Sequence, residues 1–222
     1  MSVLFLTGAT GALGSTVRSQ FLEAGWSVAG FSRKGDNFEH PAYRYYSANM
    51  MNEAEADKAF AAAYLDVGPP NMLIATIGGV RPWKQVKEMP ADEFRYLFEL
   101  NLMSFFVASK LAMKLMSAGG TIISIGAESA LQPPANKAGY VAAKAGVVAF
   151  TRVLAEEGKW IGINANCIVP TVIRTASNEQ WGDPNDIAKW TEPKDIAAMC
   201  LFLSSDAGKA VNGATIRMTN RL

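Results

Sequence analysis

Residues 2–25 read SVLFLTGATGALGSTVRSQFLEAG, and their order decides the fold. The apolar run at 2–6 has the length and composition of a short buried strand, and it breaks into the glycine loop TGATGALG at 7–14. Residues 15–24 then read as a helix that Gly25 stops. Strand, glycine loop and helix together form the context in which such a motif binds a dinucleotide. Gly8 permits the tight turn, Gly11 lets the backbone approach a pyrophosphate, and Gly14 lets the helix pack closely on the strand. Thr10 and Leu13 lie in the same cofactor-facing loop, and the helix N-terminus faces the negative charge. The plainer alternative is an ordinary glycine-rich strand-to-helix turn.

Outward from this unit the pattern repeats. A second strand is expected at 27–32, and at its end, where a NAD-binding unit places an acid, stand Ser32, Arg33 and Lys34. Paired cations suit a 2′-phosphate, so NADP(H) is favoured as cofactor, with NAD(H) as the alternative. Residues 33–42 hold Gly35 and Pro41 and predict a loop in place of the usual crossover helix. The third strand falls at 43–47, with Asn49 and Met50 after it where an adenine could rest. A helix at 53–64, a strand at 72–76 ending in Thr76, and the pair Gly78–Gly79 follow. Residues 80–90 form a loop whose Trp83 could cover a cavity. The helical pattern at 91–116 encloses Asn101, an amide in an odd place unless it has a task or faces solvent.

The segment TIISIGAESALQPPANKAGYVAAK at 121–144 brings a further strand and then a helix running from 138 to about 157. Tyr140 and Lys144 stand four residues apart on one face of that helix. An ammonium beside a phenol favours phenolate, lowers the tyrosine pKa and makes the hydroxyl a usable proton donor. A solvated tyrosine beside a surface lysine is the structural alternative. A buried strand at 163–169, an irregular and lid-like stretch at 170–190 with Trp181 and Trp190, a helix at 193–204 and a last strand at 214–218 complete the chain. The alternation predicts an α/β fold: a single domain over residues 1–222, with a Rossmann-type doubly wound parallel sheet of about seven strands and helices on both faces.

Composition agrees with such a fold and excludes several function classes. Half of the 222 residues are hydrophobic, and 21 basic against 20 acidic residues leave a net charge of +1. That balance gives no sign of a nucleic-acid or anionic-membrane partner. Cys167 and Cys200 sit in apolar runs without metal or redox spacing, and the single histidine, His40, leaves no zinc cluster. The N-terminal apolar run is too short for a signal peptide or a membrane span, so a cytoplasmic protein without membrane attachment is expected.

With these residues in view, the chain resembles the short-chain dehydrogenase/reductase family over essentially its full length. The resemblance rests on Gly8/Gly11/Gly14, Gly78 after the fourth strand, Asn101, Tyr140 with Lys144, and Pro170 with Thr175. It implies hydride transfer between a nicotinamide and a small-molecule substrate. Tyr140 would then be the proton donor, Lys144 would hold the nicotinamide ribose, and Asn101 would order a water in the proton relay. Pro170, Val172 and Thr175 would pack around the carboxamide. The family's homodimers and homotetramers imply an oligomer, built here on the Ala-rich faces of Ala108 and Ala112 and of Ala142, Ala145 and Ala149.

Three features depart from that family's pattern. Gly11 is followed by Ala12 where the middle glycine usually stands, and the tetrad after the fourth strand reads Ala75, Thr76, Ile77, Gly78. The serine expected thirteen residues before Tyr140 is Ala127. A hydroxyl there polarises the substrate carbonyl, which a methyl cannot do. The missing serine, the GAESAL run at 126–131 and the Trp190–Thr191 pair resemble the dihydropteridine reductase branch, whose quinonoid dihydropterin substrate is already electrophilic. The substrate wall is expected to include Ala127, Ser129, Tyr140 and Trp181. An ordinary ketone or 3-oxoacyl-type reductase in which Ser129 or Ser124 replaces the missing hydroxyl, and a catalytically weak NADP-binding sensor, are the alternatives.

Overall fold

The computed structural model of the chain describes residues 2–219. The opening run is β1 (Val3–Thr7), buried at every position. Its side chains alternate: Val3 and Phe5 join the apolar cluster on one face of the sheet, Leu4 and Leu6 the cluster on the other. A strand buried on both sides has no polar face, which is why it reads as a continuous apolar run. After α1 (Ala12–Glu23) come β2 (Ser27–Ser32) and β3 (Tyr43–Ser47), and no helix lies between those two strands. The loop that replaces it is pinned by Asp36, which accepts hydrogen bonds from Arg18, from the Tyr43 hydroxyl (2.7 Å) and from Phe38 N (3.1 Å).

Next in the chain are α2 (Glu53–Val67), capped by the Asn52 side chain, β4 (Met72–Ala75) and α3 (Ala91–Phe98). The helix expected to run unbroken over 91–116 is interrupted. Glu99–Met103 forms a π-helical turn before α4 (Ser104–Leu115). The interruption falls on Asn101, whose Nδ2 donates to Leu97 O (2.9 Å), and on Ser104, whose Oγ donates to Leu100 O (2.6 Å). Side chains that bond to helix carbonyls compete with the regular ladder, and π-turns of this kind widen a helix locally.

The remaining elements are β5 (Thr121–Ile125), α5 (Glu128–Leu131), α6 (Ala138–Gly158), β6 (Asn164–Pro170), α7 (Ala176–Glu179), α8 (Pro184–Ile187), α9 (Pro193–Ser204) and β7 (Thr215–Met218). The stretch read as irregular at 170–190 thus carries two short helices, and it is tied back by a bridge between Ile173 and Thr191. All seven strands are parallel, in the order β3-β2-β1-β4-β5-β6-β7. Helices α1 and α9 pack together on one face, whereas α2, α4 and α6 cover the other. The connection reverses direction between β1 and β4, so a crevice opens at the carboxyl ends of those two strands.

Helix α6 with the turn after it is long and apolar enough to cross a membrane. It packs on β6, however, and buries Lys144, as a core helix does. Ala108 and Ala112, expected at a subunit contact, are fully buried against the chain's own sheet, while Ala145 and Ala149 face outward and Ala142 is half-buried.

Candidate active site

The crevice at the switch point is an open groove of about 220 Å³. Its floor is the glycine loop. Gly8 takes a left-handed φ of +76°, and a Cβ at Gly14 would lie 2.1 Å from Gly8 O, so helix and loop touch without room for a side chain. The loop is held against the sheet by Gly8 N donating to Phe31 O (2.8 Å) and Thr10 N to Ser32 Oγ (3.2 Å). Gly11 caps α1 without a side-chain bond, which leaves the first N–H groups of that helix available to an anion. Leu13 contributes only backbone here, since its side chain is buried in the core with Val17 and Phe21.

At one end of the groove stand Arg33 and Lys34, both exposed. Neither makes an ion pair among the described residues. Their backbone is fixed from below by Tyr45, whose hydroxyl lies 2.9 Å from Ser32 O and 2.5 Å from Lys34 O. Asn49 and Met50 border the same end. Two cations without an ion pair among the described residues, in one groove with a glycine floor and a helix N-terminus, fit the phosphate groups of a dinucleotide.

At the other end, Thr76 donates to Thr7 O (2.8 Å), joining the ends of β4 and β1. Asn101 makes a reciprocal pair with Gly79, its Oδ1 accepting from Gly79 N and its Nδ2 donating to Gly79 O, both at 3.0 Å. These bonds supply the side-chain contacts that the altered tetrad at 75–78 lacks. A Cβ added to Gly78 would meet Asn101 Oδ1 at 3.0 Å and Lys144 Nζ at 3.1 Å. Amide, ammonium and bare backbone therefore converge on one point at the end of β4, and Lys144 itself stands one turn of α6 from Tyr140.

The electrostatics differ from the expectation. Lys144 is 5% exposed and donates to Ile125 O at 2.7 Å; burial pulls its ammonium down from 10.5 to about 8. Tyr140 is pushed up to about 12 by burial, not lowered by its neighbour. The cause is desolvation, which disfavours the charged form of either group more than the two help each other across this distance. Tyr140 is thus a neutral phenol at working pH, able to give a proton. A pH dependence follows. The ammonium is retained below about 8 and lost as pH rises through that value, so activity that needs it falls above about pH 8. In the same group the unfolded chain keeps its proton up to the ordinary 10.5, so Lys144's contribution to stability improves with rising pH between about 8 and 10.5. A profile of kcat/KM that stays level through pH 9 would contradict this assignment.

Several sequence-predicted site residues are not in the lining of this groove or of the cavity at Tyr140. Ser124 is buried, with its Oγ 2.7 Å from Thr151 Oγ1, so it is held in the core and does not reach the site. Ala127 is buried at the carboxyl end of β5 and Ser129 is half-buried two residues on; neither lines the groove or the cavity at Tyr140. Pro170, Val172 and Thr175 also lie outside both, and Thr175 caps α7 through Asn178 N (3.3 Å). Trp181 rests on Trp190 with ring centroids 5.2 Å apart and does not line the cavity at Tyr140.

The loop at 80–90 does what Trp83 suggested. With α3 it walls a second, tight cavity, with room for about one water molecule, in which Tyr140 is flanked by Arg81, Trp83, Glu93, Asn136 and Lys137. Lys84 N donates to Asn136 O (3.1 Å), and Asn136, at φ 68°, is the one described non-glycine residue with positive φ. Arg81, Glu93, Asn136 and Lys137 were not singled out in the sequence. The Pro133–Pro134 pair followed by an asparagine before a helix was the available signal for a left-handed turn there.

Known proteins agree with this geometry. The sequence profile of the family described as Enoyl-(Acyl carrier protein) reductase matches residues 8–219. A D-beta-hydroxybutyrate dehydrogenase of Cupriavidus necator is 30% identical over 196 residues, 78% of this chain and 76% of that protein. A 3-oxoacyl-[acyl-carrier-protein] reductase of Vibrio cholerae is 26% identical over 97% of this chain and 95% of its own length. Among solved structures, a blue fluorescent protein from a metagenomic library in complex with NADPH superposes with a TM-score of 0.87 at 24% identity, covering 99% of this chain and 96% of that one. The chain belongs to the short-chain dehydrogenase/reductase family. It is an oxidoreductase of that family, whose members bind NAD(P)(H).

Proposed function

We propose that the chain is an NADPH-preferring reductase that delivers hydride to a small, already electron-poor C=O or C=N bond. The observation that carries this is the convergence of Asn101 and Lys144 on Gly78, which lines the groove that also holds Arg33 and Lys34, neither in an ion pair among the described residues. A reduced nicotinamide would supply the hydride. The chain's own residues do the rest. Arg33 and Lys34 would pair with the 2′-phosphate, and the uncapped start of α1 would meet the pyrophosphate. Lys144, anchored on Ile125 O, presents its remaining N–H groups toward the ribose site at Gly78. Tyr140 gives its proton to the heteroatom that gains charge.

Ala127 lines neither pocket, and it leaves the carboxyl end of β5 without a hydroxyl. With a methyl at 127 in place of a hydroxyl donor, and with Ser124 bonded to Thr151, neither of these two positions offers a hydroxyl to polarise an ordinary ketone. An activated acceptor such as a quinonoid dihydropterin, a quinone, an imine or an oxo group beside an electron-withdrawing substituent needs less help. The activities of relatives, the 3-oxoacyl reductase among them, support a carbonyl substrate more directly than a pterin. Restoring the hydroxyl by Ala127→Ser is expected to raise kcat on unactivated ketones by about 10-fold or more and to change turnover of activated substrates little, as the loss of one positioned donor typically costs more than that. Equal gains on both classes would show that Ala127 does not set the preference. The reading as a whole is tested by titrating NADPH and NADH side by side, following nicotinamide fluorescence, and then adding the activated acceptors to the complex that forms.

A further inference from the structure

The cavity at Tyr140 is lined by three charged side chains, and they are not balanced. Glu93 is the only acid among the lining residues, and one of its oxygens is already paired with Lys84 from outside the lining. Its other oxygen is buried without a partner, because the helix-start N–H that a glutamate at this position would reach belongs to Pro90, which has none. The two cations, Arg81 and Lys137, have no carboxylate partner among the described residues. Arg81 lies over the Tyr96 ring at 4.6 Å from its centroid, and Lys137 Nζ over the Trp83 ring at 3.7 Å. Aromatic faces hold a cation in place without neutralising it. Desolvation lowers the Lys137 ammonium and no nearby acid raises it back. Lys137 is also the residue that opens the 21-residue helix α6, whose start has no side-chain cap, so the positive end of that helix adds to the same field.

Together these features make the mouth of the Tyr140 cavity a place where a negative charge is missing. Resting on the reductase reading above, we infer that the substrate is a small oxo compound bearing a carboxylate, whose anionic group is received by Arg81 and Lys137 while its oxo group faces Tyr140. Trp83 and Asn136 fix the geometry: Trp83 orients Lys137 by stacking, and Asn136 O anchors the loop through Lys84 N. Glu93, neutralised by Lys84, keeps that lysine from serving as a third anion receptor.

The test is a calorimetric titration of the NADPH-loaded chain with a series of 2-, 3- and 4-oxo acids of four or five carbons and with their methyl esters. It is done for the native chain and for Arg81→Gln, Lys137→Gln and the double variant, each checked for an unchanged melting transition. At least one acid is expected to bind the native chain about 10-fold or more tighter than its ester, in line with a charge-assisted contact. That ratio should fall several-fold in each single variant and close to one in the double variant. An ester that binds as well as its acid, a ratio unaffected by the double variant, or no binding of any acid at millimolar concentration would overturn the inference. Cofactor oxidation followed in parallel separates the two levels. A retained acid-to-ester ratio without oxidation would sink the reductase reading and leave the anion site standing, whereas oxidation by esters and acids alike would do the reverse.

Discussion

Tyr140→Phe is expected to lower kcat by about 10²- to 10⁴-fold, the range a positioned general acid contributes, while NADPH affinity changes by no more than a few-fold. The substitution removes one oxygen and keeps the ring that walls the cavity with Trp83, so it tests proton donation and not packing. Burial holds the phenol neutral, which makes it a competent donor and a poor base at neutral pH. In the direction of reduction the proton is therefore in place before hydride arrives. A Phe variant that keeps more than a tenth of native kcat would mean that the proton comes from elsewhere, and water admitted beside the half-buried ring would be the first source to examine.

The second large effect belongs to the opposite end of the groove. Arg33→Ala with Lys34→Ser is expected to weaken NADPH binding by about 10²-fold or more and to leave NADH binding within a few-fold, because each charge-assisted contact to a phosphate contributes roughly 1.5–3 kcal/mol. The two side chains have no acid partner to leave exposed, so their removal costs the fold little, and Tyr45 still holds the backbone of the turn. Asp36, the first acid after β2, does not offer an alternative ribose contact, since both of its oxygens are committed to Arg18, Tyr43 and Phe38. Parallel losses for both cofactors would contradict a 2′-phosphate role and would place the two cations on the pyrophosphate instead.

Much of this was legible in the sequence, for reasons that lie in particular residues. The parallel sheet shows because strands buried on both faces, such as Val3–Thr7 and Thr121–Ile125, tolerate only apolar or small residues, and the turns between them need glycine where φ is positive or the helix comes close. The groove residues Gly8, Ser32, Arg33 and Thr76 are legible because they stand at strand ends, where the topology itself makes a crevice. What was hidden depends on side-chain partners that no periodicity encodes. Nothing in the pattern at 91–116 distinguishes a π-turn from an α-helix, since the difference is one residue of hydrogen-bond register. Ser124 looks free in the sequence and is spent on Thr151, a residue 27 positions away. The Tyr140–Lys144 spacing predicted the shared face correctly and the direction of the tyrosine shift wrongly, because spacing carries no information about desolvation. Arg81 and Lys137 come from two loops far apart in the chain, and only the fold brings them to one cavity.

The most direct measurement is oxidation of bound NADPH by a panel of quinonoid dihydropterin, quinones, imines and activated oxo compounds, with Tyr140→Phe as the matched control. The account predicts that at least one acceptor oxidises the cofactor on the native chain at a rate about 10²-fold or more above that control. Saturable NADPH binding with no acceptor turned over above the control would contradict it, and the chain would then be a nicotinamide-binding protein whose tyrosine and lysine do no chemistry.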